Sequence, residues 1–227
     1  MQTHRARAQA GFTLIEMLIV TALIAVIASI AVPNLLSSKL VSNETAAIAT
    51  MRAISSAQFQ FQTSSTLDLN SDGGSEFGTL RELGGLDPLR GTGAPLKIGL
   101  LSKSAALTDA TGGVTLKGYR FRMFLPAADG SGVVATGANA AQFDPALSQR
   151  YWTCVAWPVV QGKSGKRAFF INQQGVLLEA RGTDYDGSSV EPDAGAGLVG
   201  VPVTQIDAEE LATRGPGADG NDWVMVQ

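Results

Sequence analysis

The residues with the clearest potential for chemistry lie near the start of the chain, at the junction of Gly11 and Phe12. Phe12 begins an apolar run that ends at Val32 and contains one ionisable side chain, Glu16. An ionised carboxylate inside a membrane-length helix costs at least about 2.5–3.5 kcal/mol near the bilayer centre, so it usually has a partner or a function. Cleavage at Gly11 would leave the apolar run on the mature chain. These positions indicate a membrane anchor that carries a functional carboxylate.

The apolar run is long enough to be that anchor. It has 21 residues, close to the ~20 that span a bilayer as a helix. Arg5 and Arg7 precede it without any acid in the leader, which predicts a cytoplasmic N-terminus. A secretory signal peptide has a small-residue cleavage site after its apolar region, and the sequence Val32-Pro33-Asn34 offers none. We therefore predict a single membrane span that stays on the protein.

The segment G-F-T-L-I-E-M-L-I-V at residues 11–20 closely resembles the class III signal of type IV pilins and type II secretion pseudopilins. The resemblance implies that a prepilin peptidase cuts between Gly11 and Phe12 and then N-methylates Phe12. It implies an assembly role for Glu16, which would pair with the buried α-amino group of Phe12 in a neighbouring subunit, because a buried charge needs a partner. It also implies that Pro33 kinks or melts the first helix.

The resemblance further implies partners and a location. The partners are the prepilin peptidase, other pilin subunits in a homo- or hetero-filament, an assembly platform with its ATPase, and the membrane. The chain would be a single-pass inner-membrane protein with its C-terminal domain in the periplasm, and later part of a pilus or pseudopilus at the cell surface. A minor pilin at the fibre tip, acting as an adhesin or substrate-binding module, is the alternative, and exposed aromatic residues in the tail would favour it.

Composition argues against catalysis. The one histidine, His4, lies in the leader, so the processed chain would lack the base of Ser-His-Asp and Cys-His nucleophilic sites and any histidine-containing zinc site. A single cysteine, Cys154, cannot form an intramolecular disulfide and lies in an apolar strand pattern typical of a buried thiol. Loss of Arg5 and Arg7 would lower the net charge from −3 to −5, which does not favour nucleic-acid binding. We predict no enzyme activity, cofactor or metal.

A helical pattern continues beyond the anchor. After Pro33, apolar residues recur every three to four positions, which is typical of one apolar helix face. They are Leu35, Leu36, Leu40, Val41, Ala47, Ile48, Met51, Ile54, Ala57 and Phe61. Between them fall polar residues, among which are Lys39, Asn43, Glu44, Arg52 and Gln58. We predict one helix from Phe12 to about Thr63, with a transmembrane or filament-core half at 12–33 and an amphipathic half at 34–63 that needs a domain to cover it.

The sequence after the helix predicts a connecting segment followed by a β-sheet domain. After the leader, 1–11, and the helix, residues 64–113 form the connection and 114–227 the sheet domain with an irregular C-terminal loop. Strand patterns occur at 119–125, 149–161, 166–172, 176–180 and 223–226, with turns at 162–165 and 172–175. Along the first strand, Tyr119 and Phe121 share one face and Arg120 and Arg122 the other. The predicted fold class is α+β and pilin-like, a long N-terminal helix packed on an antiparallel meander.

Two loops could bind calcium, although a plain turn is the favoured interpretation of both. Asp68 to Gly73 fits the first half of a calcium loop with Glu76 at its ninth position. Thr79 stands where an EF-hand has its closing bidentate glutamate, which excludes an EF-hand as written. The segment 219–222 is similar and weaker.

Two further patterns favour ordinary structure. The Gly-Lys pairs at 162–163 and 165–166 lack the earlier glycine of a phosphate-binding loop. Four aromatic residues are predicted to lie in the core or on a face of the sheet, namely Trp152, Trp157, Phe169 and Phe170.

Overall fold

A computed structural model describes residues 11–64 and 67–226. The leader residues His4, Arg5 and Arg7 lie outside the described residues. The elements in chain order are α1 (Leu14–Thr63), α2 (Leu80–Leu83), α3 (Lys103–Ala106), β1 (Gly113–Leu116), β2 (Tyr119–Pro126), β3 (Gly132–Val134), a 3-10 helix (Gly137–Gln142), α4 (Pro145–Ser148), β4 (Thr153–Pro158), β5 (Arg167–Asn172), β6 (Leu178–Arg181), β7 (Arg214–Pro216) and β8 (Asp222–Met225). The chain divides into two units between Lys39 and Leu40.

The first unit is the apolar part of α1. Its large apolar side chains are exposed, from Phe12 (80%) to Val32 (51%). The hydroxyls of Thr21 and Ser29 donate to the carbonyls of Leu18 and Val26, respectively, at 3.0 and 2.7 Å, so neither polar group needs water. By length and composition alone, α1 is able to cross a membrane. The helix continues through Pro33 without a break, and a kink there stays a prediction.

In the second unit, α1 buries one stripe. The stripe consists of Ala47, Met51, Ile54, Ala57 and Phe61, at the spacing that the sequence predicts. Leu35, Leu36 and Val41 were expected on the same face and are exposed. Two of the polar residues that fall between the apolar positions, Glu44 and Gln58, are buried as well. Each has a partner from the domain, and these contacts replace the water that a buried polar group loses.

Eight antiparallel strands form one sheet in the order β1-β2-β4-β5-β6-β8-β7, and β3 pairs with the end of β2 on the edge opposite β4. The meander β4–β5–β6 was predicted, and its second turn has the expected form. The amide of Gly175 donates to the carbonyl of Asn172 at 2.9 Å, and Gly175 has a φ of +72°. The strand predicted at 149–161 is shorter, because α4 and a loop precede Thr153. The sequence did not indicate β3 or β7.

One face of the sheet packs on the α1 stripe. Its inward residues, which come from β2, β4 and β5, are Tyr119, Phe121, Met123, Leu125, Cys154, Ala156, Phe169 and Ile171. This layer confirms the α+β, pilin-like fold. The connection adds α2, whose N-cap Thr79 and third residue Glu82 exchange hydrogen bonds in a capping box.

The opposite face is covered as well, which the alternation along β2 did not predict. Arg122, which the alternation places on the face opposite Tyr119 and Phe121, is buried under the tail and pairs with Glu191 through both of its terminal nitrogens. A second core of apolar residues joins this face to the tail, with Val155, Trp157, Phe170, Ala180 and Trp223 from the strands and Ala194, Ala196, Leu198, Ile206 and Leu211 from the tail. The irregular tail is thus a structural layer.

Candidate functional site

The first described turn of α1 holds the candidate site. Helix α1 begins at Leu14, so Thr13 is its N-cap and Glu16 its third residue. One carboxylate oxygen of Glu16 accepts hydrogen bonds from the Thr13 backbone amide at 2.8 Å and from the Thr13 hydroxyl at 2.7 Å. The hydroxyl in turn accepts from the Glu16 amide at 3.3 Å. This reciprocal arrangement is a capping box, which satisfies two donors that the helix leaves free.

The carboxylate has neutral donors and no cation. Within residues 11–64 and 67–226, no ion pair includes Glu16. Both oxygens belong to an exposed residue in an exposed apolar segment. The site therefore offers an anion whose hydrogen bonds come from its own helix and whose charge is uncompensated within the described chain.

Phe12 lies two residues before the start of α1, and Glu16 lies in its first turn. Thr13, between them, is a residue whose role the sequence interpretation missed. The signal was present, because Thr13-x-x-Glu16 directly before an apolar run is the sequence pattern of a capping box. Gly11 is exposed, and a Cβ added to it would meet no atom within 4 Å. Packing against the described residues therefore does not explain a glycine at this position.

The two acidic loops form hydrogen-bonded turns. Asp68 accepts from the amides of Asp72 and Gly73 at 3.2 and 3.1 Å. The Gly74 amide, which donates to Asp72 at 2.8 Å, lowers the pKa of that carboxyl, with a smaller contribution from Gln149. In the described chain, no three His, Cys, Asp or Glu side chains are grouped so that they could hold a metal ion.

The second loop is built around Asp219. Its carboxylate accepts from the Trp223 indole at 3.0 Å, from Asn221 at 2.8 Å and from the Tyr185 hydroxyl. Burial, followed by the bond to Asp219, raises the pKa of Tyr185. Tyr185 and Trp223 are the aromatic residues of the tail between 182 and 226, and both are buried. The exposed tail aromatics that would favour an adhesin are therefore not found.

The remaining candidates have structural environments. Cys154 is fully buried, and burial raises the pKa of its thiol, so it is not a ready nucleophile. Trp152, Trp157, Phe169 and Phe170 are all buried, as predicted. The glycine-lysine segment 162–165 is a turn, closed by a 2.8 Å bond from the Gly162 amide to the Gly165 carbonyl.

An ionic network fixes the start of the buried part of α1. Glu44 accepts from the Lys166 amide at 2.9 Å and from the Arg167 guanidinium at 2.8 Å. Arg167 also pairs with Glu179, which pairs with Arg181. An open groove of about 600 Å³ is lined by Glu44, Lys166, Arg167 and Arg181. Every acid in this chain of contacts has a basic partner, so the network explains how the helix is held to β5 and β6.

Comparisons with known proteins agree with the N-terminal geometry. A family model described as a prokaryotic N-terminal methylation motif matches residues 6–32. A second model, described as a protein of unknown function (DUF2950), matches residues 28–184, which is more than half of the chain. No curated protein and no solved structure gave a match. The chain carries the class III signal of type IV pilins and pseudopilins, and it belongs to the DUF2950 family of proteins of unknown function.

Proposed function

We propose that the chain is a structural subunit of a type IV pilus-like fibre or a secretion pseudopilus. The observation that carries the proposal is the first turn of α1. There, an acid with uncompensated charge lies in an exposed apolar helix that carries the methylation motif. A lipid environment covers the apolar surface before assembly, and packed helices of other subunits cover it afterwards.

Processing prepares this turn for assembly. Cleavage between Gly11 and Phe12 removes the leader 1–11 and creates an α-amino group at Phe12, which is then methylated. The Thr13 hydroxyl and amide already satisfy one oxygen of Glu16 with neutral donors. A cationic amine from a neighbouring subunit is the partner that adds opposite charge, and charge-assisted bonds are about twice as strong as neutral ones.

This role assigns a function to each of the other parts of the chain. Residues 12–33 form the membrane anchor and later the fibre core, and 34–63 join the anchor to a domain made of the connection 64–113 and the sheet 114–227. The domain lies in the periplasm while the anchor is in the inner membrane, and faces outward in the fibre. The partners are a prepilin peptidase, other pilin subunits, and an assembly platform with its ATPase.

Neither competing function gains support. The matched families include no enzyme family. Exposed aromatic residues in the tail would favour the tip-adhesin alternative, and Tyr185 and Trp223 are buried. A structural role is therefore the better proposal.

The deciding experiment is intact mass measurement with N-terminal sequencing of the protein from native membranes or sheared fibres. We expect a chain that begins at N-methyl-Phe12. A chain that still begins at Met1, or one that is cut after residue 33, would contradict the proposal, because neither could supply the Phe12 amine to a neighbouring Glu16.

A further inference from the structure

Exposed basic side chains collect at one end of the second unit, around the first residues of its part of α1. The side-chain amide of Asn43 donates to the Ser164 carbonyl at 2.8 Å, which fixes the turn that carries Lys163. Glu44 accepts from the Lys166 amide at 2.9 Å, which fixes the residue before β5. Lys163 and Lys166 are both exposed. This turn therefore presents two lysines next to the point where α1 begins to be buried.

A third lysine belongs to the same end. Lys117 is exposed and precedes Gly118 in the turn between β1 and β2. A Cβ added to Gly118 would lie 3.0 Å from both the Asn43 amide nitrogen and the Ser164 Cβ, so this turn packs against the residues that fix the neighbouring one. Three lysines from two turns thus share one surface, which we call the lysine surface and which consists of Lys117, Lys163 and Lys166.

The lysine surface carries positive charge that its neighbours do not cancel. Among residues 11–64 and 67–226, none of its three lysines takes part in an ion pair. The nearby acids Glu44 and Glu179 are buried and pair with arginines, namely Arg167 and Arg181. The segment that the Gln161 amide contacts adds two acids, Asp184 and Asp186. The lysines outnumber these acids, in contrast to the net charge of −3 for the whole chain.

Apolar side chains accompany the lysines. Val160 is 42% exposed, and its carbonyl accepts from the Lys163 amide at 3.1 Å. Val41, two residues before Asn43, is 59% exposed. A lysine side chain combines an apolar stem with a charged end, and amphipathic helices that lie at a membrane surface combine the same two classes of residue. The composition of this end therefore fits the boundary between lipid and water.

The chain limits the distance between this end and the apolar run. Asn43 follows Val32 by eleven residues, and α1 includes all of them. Eleven residues of helix rise by about 16 Å. The headgroup layer outside the hydrocarbon core is about 5–7 Å thick, and the charge of its lipids acts over a Debye length of about 8–10 Å. With the apolar run in a bilayer, the lysine surface is within reach of the headgroup charges.

We propose that the lysine surface binds the anionic phospholipid headgroups of the membrane in which α1 is anchored. The inference rests on the membrane anchor of the proposed function and goes beyond it by assigning a lipid contact to the domain. A lysine ammonium is a compact point charge on a flexible stem, and each basic side chain near an anionic lipid surface adds to the attraction. The contact holds the domain on the lipid before assembly and is lost when the subunit leaves the membrane.

The experiment is lysine footprinting of the full chain in vesicles of phosphatidylcholine, either alone or with about one-third phosphatidylglycerol. Acetic anhydride acetylates exposed lysines, and mass spectrometry of peptides gives the rate at each one. In the anionic vesicles, we expect the rates at Lys117, Lys163 and Lys166 to fall about fivefold. They should recover when NaCl is raised from about 0.1 to about 1 M, which shortens the Debye length to about 3 Å. Equal rates in the two kinds of vesicle would overturn the proposal and leave contact with another protein as the role of this surface.

Lys97 and Lys103 provide the internal control. Both are exposed, and they belong to the connection, which is held to α2 by a 2.8 Å bond from the Leu100 amide to the Leu83 carbonyl. Their rates should be the same in both kinds of vesicle. A fall at these two lysines as large as that at the lysine surface would also overturn the proposal, because it would show no preference for one end of the domain.

Variants test the contact without a chemical modification. Energy transfer from the buried tryptophans to dansyl-labelled headgroups should be higher in anionic than in neutral vesicles. The triple variant K117Q/K163Q/K166Q should lose this difference, and the matched control K97Q/K103Q should keep it. All five side chains are exposed and have no ion pair within the described chain, so both variants are expected to fold. An undiminished difference in the triple variant would refute the lipid contact.

Flotation of the full chain with neutral vesicles tests the anchor separately. A chain that does not float would contradict the membrane anchor and the lipid contact together. A chain that floats and shows unchanged lysine rates in anionic vesicles would contradict the lipid contact alone.

Discussion

The two parts of α1 have opposite surfaces although they belong to one helix. In the first unit, apolar side chains such as Leu14 and Ile27 are exposed, at 83% and 67%. In the second, the polar side chains of Glu44 and Gln58 are buried among apolar ones. The difference shows that hydrophobic character alone does not define the inside of this molecule. The apolar side chains of the first part have no covering contacts within the described residues, whereas the apolar stripe of the second part packs against the domain.

This comparison separates two kinds of effect. Changes in the first part should alter assembly and leave the unfolding of the domain unchanged. Changes in the second part should alter stability. A variant in the first part that destabilises the domain, or a variant in the second part that alters assembly without changing stability, would show that this division is wrong.

The largest expected effect is that of Glu16→Ala on assembly. In the proposed fibre, loss of the acid would leave the Phe12 amine of a neighbouring subunit buried without its partner, at a cost of about 3–5 kcal/mol, so fibre yield in a shearing assay should fall at least a hundredfold. The Tm of the domain should not change. Glu210→Ala, which removes an exposed acid in the tail, is the control. Normal fibre yield from Glu16→Ala would remove the assembly role from this residue.

Trp157→Ala should have the largest effect on stability. The side chain is fully buried in the layer between the sheet and the tail, and its indole donates to the Gly187 carbonyl at 2.6 Å. We expect the free energy of unfolding to fall by about 3–5 kcal/mol, measured by urea denaturation with circular dichroism. Val160→Ala, at a half-exposed site after the same strand, should stay within about 0.5 kcal/mol. Equal losses in both variants would mean that the tail does not form a packed layer.

Gln58→Ala tests the buried polar contact of the second part of α1. The Gln58 amide donates to the Gly78 carbonyl at 2.8 Å and accepts from the Gly78 amide at 3.0 Å. Its loss leaves both backbone groups buried without partners, which should lower the free energy of unfolding by about 1–3 kcal/mol. Gln60→Ala, two residues along on the exposed side, is the control. A neutral result for Gln58→Ala would show that water replaces the amide.

Thr13→Val should have the smallest effect. It removes the hydroxyl that caps α1 and one of the two donors to Glu16, with an expected cost of about 1 kcal/mol. Fibre yield should fall several-fold while the domain Tm stays constant, and Thr13→Ser should restore the yield because serine keeps the hydroxyl. Normal fibre yield from Thr13→Val would show that the hydroxyl does not contribute to assembly.

The sequence predicted features that depend on local periodicity. The α1 stripe from Ala47 to Phe61, the turn at Gly175 and the meander around Cys154 follow from helix spacing, turn chemistry and alternation. The Thr13–Glu16 cap was also visible in the sequence but was not recognised. The methylation motif identified the signal directly because its residues are adjacent in the chain.

The sequence could not predict features that depend on distant partners. Arg122 alternates with apolar residues in the way that a solvent-facing residue does, and its buried partner Glu191 lies 69 positions later in the chain. Gln58 resembles an exposed helical residue until Gly78 is placed opposite it. The short strand β7 has no alternation and exists because β8 supplies its hydrogen bonds. Such pairings are set by the tertiary fold, which overrides local propensity.

The polar contacts along the second part of α1 have a mechanical consequence. Asn43 and Glu44 bind the segment 164–167, Gln58 binds Gly78, and Gln62 donates to the Gln149 carbonyl at 2.6 Å. These contacts are distributed over about 28 Å of helix. A pull along the helix axis would load them together in shear, so no single bond would carry the whole tension. In a fibre under traction, the domain would stay fixed in register on its helix until several such contacts failed at once.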